Sequence, residues 1–204
     1  MARQHGLRQR GLRQHRLRQR EVLARRWLRT PVGVLRVTAS DRGVTNIDRV
    51  ARAASHRESQ ASQRGTPAAQ RHADRAVREL REYFAGQRTT FSVPLQLDGT
   101  PFQQRAWAAM RKIRHGRTIS YAQQAAAMRA PRAARAVGSA NGANPVPIIV
   151  PCHRVVASNG GLGGYSLGLA MKRWLLEHEA LATRARSAHV TVRHYAAGKP
   201  SRSR

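Results

Sequence analysis

Apolar positions along the chain change their spacing several times, and each change marks a different element. Between Gly33 and Val50 they come in short runs, Val34-Leu35-Arg36-Val37 and Val44-Thr45-Asn46-Ile47, around Ser40-Asp41-Arg42-Gly43. Two such runs about a polar corner ending in glycine predict a β-hairpin. His56 to Gln70 is polar, contains Gly65 and Pro67, and reads as a loop. From about Ala68 to Phe84 the spacing turns helical, with Ala76, Leu80, Tyr83 and Phe84 on one face and Gly86 as the stop. Phe91 to Leu97 reads as a further strand, so the first half is a small α/β unit.

The second half reads as mainly helical. Phe102, Ala106, Trp107, Met110 and Ile113 fall at core spacing on a helix from about Gln103 to Ile113. Ser120-Tyr121-Ala122-Gln123 is a capping box opening another helix that ends near Met128. Pro131 then starts a third, Arg132 to about Ala140, after a short turn. Two short helices joined this way suggest a helix-turn-helix. The face of the second is built of Ala133, Ala134, Ala136, Gly138, Ser139 and Ala140. Side chains this small allow close approach to a groove but read few base edges, which suits contact through phosphates and shape.

Charge narrows the class of partner. The 204 residues carry a formal net charge of +28, and no Asp or Glu occurs between Asp98 and Glu177. Such a balance calls for a polyanion: DNA, RNA or an anionic membrane surface. The membrane is the weakest of the three, since no apolar run approaches the roughly 18 residues of a spanning helix. An N-terminal secretory core is missing too, so the expected location is the cytoplasm, associated with the nucleoid. Residues 1–25 are basic, with a five-residue unit recurring as Gly6-Leu7-Arg8-Gln9-Arg10, Gly11 to His15 and Arg16 to Arg20. Leucines five apart share no helical face, so this stretch reads as a disordered arm, either a DNA-contacting tail or the product of a misplaced start. One cysteine, Cys152, excludes an internal disulfide and any cysteine-based zinc cluster; no metal and no cofactor is expected.

The chemistry concentrates in Asn144-Pro145-Val146-Pro147-Ile148-Ile149-Val150-Pro151-Cys152-His153-Arg154-Val155-Val156. An apolar run ends on a thiol beside an imidazole and a guanidinium. The thiolate is the nucleophile, neighbouring positive charge favours it, and an adjacent histidine oriented by a carboxylate can take its proton. Only Glu177 and Glu179 are available for that orienting role in this half. Taken alone, the Cys–His pair is more often a buried structural cysteine than a nucleophile.

Pro151-Cys152-His153-Arg154-Val155 resembles the active-site signature of the O6-alkylguanine-DNA alkyltransferases, the methylated-DNA–protein-cysteine methyltransferases. The resemblance extends through Thr100-Pro101-Phe102-Gln103, Ser120-Tyr121, Ala133 to Gly138, Asn144-Pro145, Gly164-Tyr165-Ser166, Gly168-Leu169 and Lys172 to Glu179. It covers about residues 66–180 strongly and 30–65 loosely. It implies a ribonuclease H-like α/β domain (26–97, small sheet plus helix), then a mainly α, winged helix-turn-helix-like catalytic domain (98–181) and a basic tail (182–204). It also implies that Cys152 accepts the alkyl group, that His153 is its base through a water, and that Glu179 orients His153. Tyr121 would contact the phosphate beside the lesion, help rotate the nucleotide and donate a proton to the leaving guanine. Arg135 would enter the base stack, with Ala134 and Ser139 on the same DNA-facing helix, and Asn144 would brace the turn before the cysteine. The backbone of Cys152, Val155 and Ser166 would hold the flipped base, with Tyr165 beside it. The implied partner is double-stranded DNA carrying O6-alkylguanine, with O4-alkylthymine open as a second substrate, met by a monomer that needs no membrane.

Bland readings stand beside these. Tyr121 at a helix start can simply pack, and Arg135 can be an ordinary phosphate contact. Lys172 and Arg173 read as solvation or phosphate attraction, Trp107 and Trp174 as core, and the remaining histidines as solvated. Leu167 stands where the family has a small residue, often glycine, and is expected to narrow the pocket rim and disfavour bulky lesions. The alternative function is a non-catalytic lesion binder or a helix-turn-helix regulator. The intact Cys152-His153 pair argues against the first, and the small-residue helix against the second.

Overall fold

A computed structural model describes residues 23–50 and 65–196, with side chains to 185. The basic arm, most of the polar loop and the last residues of the tail lie outside the described residues. Three antiparallel strands, β1 (Ala24–Thr30), β2 (Gly33–Ser40) and β3 (Gly43–Val50), form one sheet in that order. The hairpin β2–β3 falls where the apolar runs predict it. β1 is an addition, hidden in the sequence because Arg25, Arg26 and Arg29 interrupt its apolar positions while Ala24 and Leu28 alone are buried.

Helix α1 (Pro67–Phe84) covers the sheet with Ala69, Ala73, Ala76, Val77, Leu80 and Tyr83. Thr66 caps its start by accepting from the Ala69 N–H at 3.2 Å. Its end is a Schellman turn: Gly86 N–H donates to Tyr83 O, Gln87 N–H to Glu82 O, and Gly86 sits at φ +73°.

Residues 91–97 do not form the expected strand. The segment makes one parallel bridge, Leu95 to Val44, through Val44 N–H to Pro94 O and Gln96 N–H to Val44 O. Pro94 has no N–H, and the amides of Ser92 and Val93 donate instead to the buried Glu79 carboxylate, at 2.8 and 3.2 Å. A ladder needs those donors, and they are committed elsewhere. Gly43 permits the crossing: at φ +145°, a Cβ there would lie 2.5 Å from Pro94 O.

Helix α2 (Pro101–Arg111) starts two residues earlier than its apolar spacing predicts, because Thr100 and Gln103 form a capping box with Pro101 in the first turn. Helix α3 (Tyr121–Ala127) opens on the expected Ser120–Gln123 capping box. A 3₁₀ turn (Pro131–Ala133) leads into α4 (Ala134–Gly142), giving two short helices across a tight turn. Buried amides lock the pair: Gln124 and Asn141 exchange hydrogen bonds at 2.7 and 3.1 Å, and Gln124 also donates to Ala106 O on α2. Strands β4 (Ile119–Ser120) and β5 (Val155–Val156) pair in parallel and tie the start of α3 to the cysteine segment. Helix α5 (Leu169–Ala196) runs well past residue 181. One apolar core runs from the sheet through Trp107 and Met110 to Ile148, Val150 and Leu175. No helix among the described residues is long and apolar enough to cross a membrane.

Candidate active site

Cys152 opens a 3₁₀ turn (Cys152–Arg154) that follows the apolar run from Val146 to Pro151. Asn144 shapes this approach. Its Nδ2 donates to Val150 O at 2.8 Å and to Cys152 Sγ at 3.2 Å, and its Oδ1 accepts from Val146 N–H at 3.0 Å. Ile148 bends the run at φ +76°, a strained value for a β-branched residue, while Val150 N–H closes a turn on Val146 O at 2.9 Å. Ile47 N–H of β3 donates to Pro145 O at 2.9 Å, so the N-terminal sheet also holds the segment.

Cys152 is 5% exposed, yet it lines a cavity of about 430 Å³ with Tyr121, Gly138, Asn141, Gly142, Gly164, Tyr165 and Ser166. Burial pushes its thiol up to about 11, although Asn144, the Lys172 charge and the Cys152 and His153 amides pull the other way. The expected lowering by neighbouring cations is therefore overturned: desolvation wins and the thiol is protonated at rest.

Behind the thiol stands a buried polar cluster centred on Glu179 of α5. Its Oε1 accepts from His153 Nε2 at 2.9 Å, Arg154 Nη2 at 2.8 Å and Tyr83 Oη at 2.9 Å. Its Oε2 accepts from Arg154 Nε at 3.0 Å and Gly116 N–H at 2.8 Å. Burial alone would raise this carboxyl, but the His153 bond and the Arg154 guanidinium outweigh it and hold it well below the usual carboxylate range. Burial holds His153 below its ordinary value against the raising pull of Glu179. A neutral imidazole giving its Nε2–H to the carboxylate keeps Nδ1 as an acceptor, and Nδ1 has no hydrogen-bond partner among the described residues. Of the two acidic candidates, Glu179 is the one in contact, whereas Glu177 is exposed.

Tyr121, the first residue of α3, leans over the cavity, and its hydroxyl is raised by desolvation. Gly163, at φ +64°, must be glycine here, since a Cβ would lie 2.7 Å from the Tyr121 hydroxyl. Tyr165 presents its ring edge to His153 at 6.3 Å, and its own buried hydroxyl has no hydrogen-bond partner among the described residues. Ser166 is exposed at the rim. Arg135 and Ser139 are exposed on α4, Ala134 is half-buried, and Gly138 and Gly142 of the same helix form part of the cavity wall. Val155 stands behind the turn, fully buried, with its N–H on Cys152 O and its carbonyl accepting from Lys172 at 2.6 Å.

Three expectations fail. Lys172 is not a solvated cation: it is fully buried, and its Nζ also donates to Leu162 O and Gly164 O, pinning the 156–168 loop over the site. Leu167 does not narrow the cavity rim. It is not among the residues lining the Cys152 cavity and instead lines a separate hollow with Val34 and Arg49. His178, read as solvated, stacks on Trp174 at 4.8 Å and bonds Tyr83 O at 2.8 Å. Trp107 is core, as expected, and donates to Ala140 O at 2.9 Å. Arg154 and Tyr83 went unassigned in the sequence, because nothing in their spacing links residues 83, 154 and 179.

Two family models match in order: the 6-O-methylguanine DNA methyltransferase ribonuclease-like domain over residues 23–97 and its DNA binding domain over 101–181. A methylated-DNA–protein-cysteine methyltransferase of Mycolicibacterium paratuberculosis is 42% identical over 154 residues, 76% of this chain and 90% of that protein. One from Mycobacterium bovis is 56% identical over 104 residues, 51% of this chain, and the match takes in 63% of that relative's length. The crystal structure of Mycobacterium tuberculosis O6-methylguanine methyltransferase superimposes with a TM-score of 0.66 at 41% identity, over 78% of this chain and 94% of that one. A Mycobacterium tuberculosis structure in complex with DNA gives 0.67 at the same identity and coverage. With both domains matched in sequence order and a relative aligned over 90% of its length, the chain belongs to the 6-O-methylguanine DNA methyltransferase family.

Proposed function

We propose that this chain repairs double-stranded DNA by moving an alkyl group, most simply methyl, from O6 of guanine to Cys152 in a single irreversible event. The observation that carries the proposal is a lone buried thiol on the wall of a cavity, with an ionised carboxylate and a neutral imidazole directly behind it. The base must leave the duplex to reach such a sulfur. Arg135 takes the vacated space in this reading, with Ala134 and Ser139 beside the backbone, and its exposure on the helix that supplies the cavity wall supports that role.

In the reaction the thiol proton passes to His153 Nδ1 through a water, and the Glu179 carboxylate stabilises the imidazolium. Asn144 Nδ2, the turn amides and the Lys172 charge stabilise the sulfur as it becomes anionic. Sγ attacks the alkyl carbon, an S–C bond forms, the C–O6 bond breaks, and its electron pair stays with the guanine. Tyr121 supplies a proton to the leaving base. The carbonyl of Val155 keeps its second lone pair for a base donor, and the Cys152 and Ser166 backbone and the Tyr165 ring complete the pocket. The thioether has no group to remove it, so each monomer acts once. This work belongs at the nucleoid, where the substrate is.

Incubation with O6-methylguanine duplex followed by intact-protein mass measurement tests the reading. One methyl group should appear on Cys152 and none on Cys152→Ala. Tight lesion binding without any mass gain would leave a non-catalytic lesion sensor instead. The same assay with O4-methylthymine decides the second substrate.

A further inference from the structure

A second cavity, about 330 Å³, opens beside the Cys152–Arg154 turn and shares no wall residue with the first. Its volume falls in the range of small-molecule sites. Arg111, Lys112 and Arg114 stand on it, all exposed, and no side-chain hydrogen bond or ion pair engages them among the described residues. No Asp or Glu belongs to the wall.

The fourth cation is Arg154, only 5% exposed. Its Nε and Nη2 donate to Glu179 and its Nη1 to Ile113 O. A guanidinium has five N–H donors, and these contacts among the described residues engage three of them, leaving one hydrogen on each Nη. Buried donors of this kind call for an oxyanion. The wall also carries Thr89, Thr90 and His115, and its apolar part includes Ile149 and Phe91, which lies against the Tyr83 ring at 5.5 Å. A solvated basic face would need neither the concavity nor the apolar floor.

We propose that this cavity binds a small phosphate ester with a flat apolar organic part, of which a nucleoside monophosphate is the simplest representative. The phosphate takes the free Arg154 hydrogens and the Arg111, Lys112 and Arg114 charges, and the ring rests on Phe91. A duplex is convex and reaches only the rim, so a free nucleotide is the ligand rather than a second stretch of DNA. Nothing here depends on the alkyl-transfer reading.

The test is calorimetric titration of the full chain with adenosine monophosphate, with inorganic phosphate and adenosine as separate arms at matched ionic strength. The expected result is saturable one-to-one binding, tighter than either fragment. Combined Arg111→Gln, Lys112→Gln and Arg114→Gln should weaken it about tenfold or more, the scale of losing one charge-assisted hydrogen bond. Combined Arg71→Gln, Arg78→Gln and Arg81→Gln, an equal loss of exposed charge on α1, should leave it unchanged. Phe91→Leu, which keeps the fold's apolar contact, should weaken the nucleotide and not the phosphate. Equal weakening by both triple variants, phosphate binding as tight as the nucleotide, or no saturation overturns the proposal.

Discussion

Cys152 is a thiol that its surroundings keep protonated until a substrate arrives. With its ionisation pushed up to about 11, roughly one molecule in 10⁴ carries the thiolate at pH 7. Iodoacetamide, too small to recruit the DNA-bound geometry, should therefore alkylate the free protein slowly at pH 7. Its rate should climb about tenfold per pH unit up to pH 10; a plateau below pH 9 would contradict the buried-thiol picture. Glu179 holds the residues behind that thiol. Glu179→Gln removes the carboxylate from a buried arginine, a loss of about 3–5 kcal/mol in urea unfolding. It should also slow methyl transfer by about 10²-fold or more, because His153 loses the partner that makes it a base. Unchanged transfer in a folded variant would take His153 out of the mechanism. These residues and the His153–Glu179 pairing were expected from the sequence through its family resemblance; the Tyr83, Gly116 and Arg154 partners of Glu179 were not. Arg154 and Lys172, surface-like by type, are buried because Glu179 satisfies the first and the carbonyls of Val155, Leu162 and Gly164 the second.

Two helix ends make the same turn with different residues. α1 stops with Gly86 in the left-handed region, and α3 stops with Arg129 there, at φ 58°. In the second, Ala130 N–H donates to Ala125 O and Arg129 N–H to Ala126 O, the same pair of bonds. The arginine pays a steric cost that glycine avoids. Arg129→Gly should raise stability by about 0.5–1 kcal/mol, less the unfolded-state entropy that glycine adds, measured by chemical denaturation. A net loss would mean that the Arg129 side chain holds the helix-turn-helix in a way its open exposure does not suggest. Elements with their own local signals, the hairpin and the Ser120 capping box, were read correctly. The 91–97 segment was misread because its amides answer to Glu79, twelve or more residues away, rather than to a neighbouring strand.

Across the whole molecule, acid should be destabilising through the buried cluster. Both His153 and Glu179 have folded values below their ordinary ones. The unfolded chain therefore binds protons more readily, and stability falls as pH drops. For His153 the loss begins near 6.5, and for Glu179 it begins near 4.5, each continuing toward the folded value. The thermal midpoint should hold between about pH 7 and 8.5, decline in two stages between pH 6.5 and 3, and fall again above about pH 9, where the unfolded chain loses the Cys152 and Tyr83 protons that the fold retains. His153→Gln should remove the upper stage alone, and a midpoint flat through pH 5 would mean the imidazole is not buried neutral. What the chain determined by itself was a lone cysteine beside a histidine, the basic character, the helix-turn-helix and the order of the two domains, because those depend on residue type and short-range spacing. Whether the thiol is ionised, which hollow Leu167 lines and why a lysine is buried were decided only by folding. Each depends on desolvation and on donors and acceptors that meet from residues 83, 116, 154, 172 and 179, distances along the chain over which no local pattern carries information.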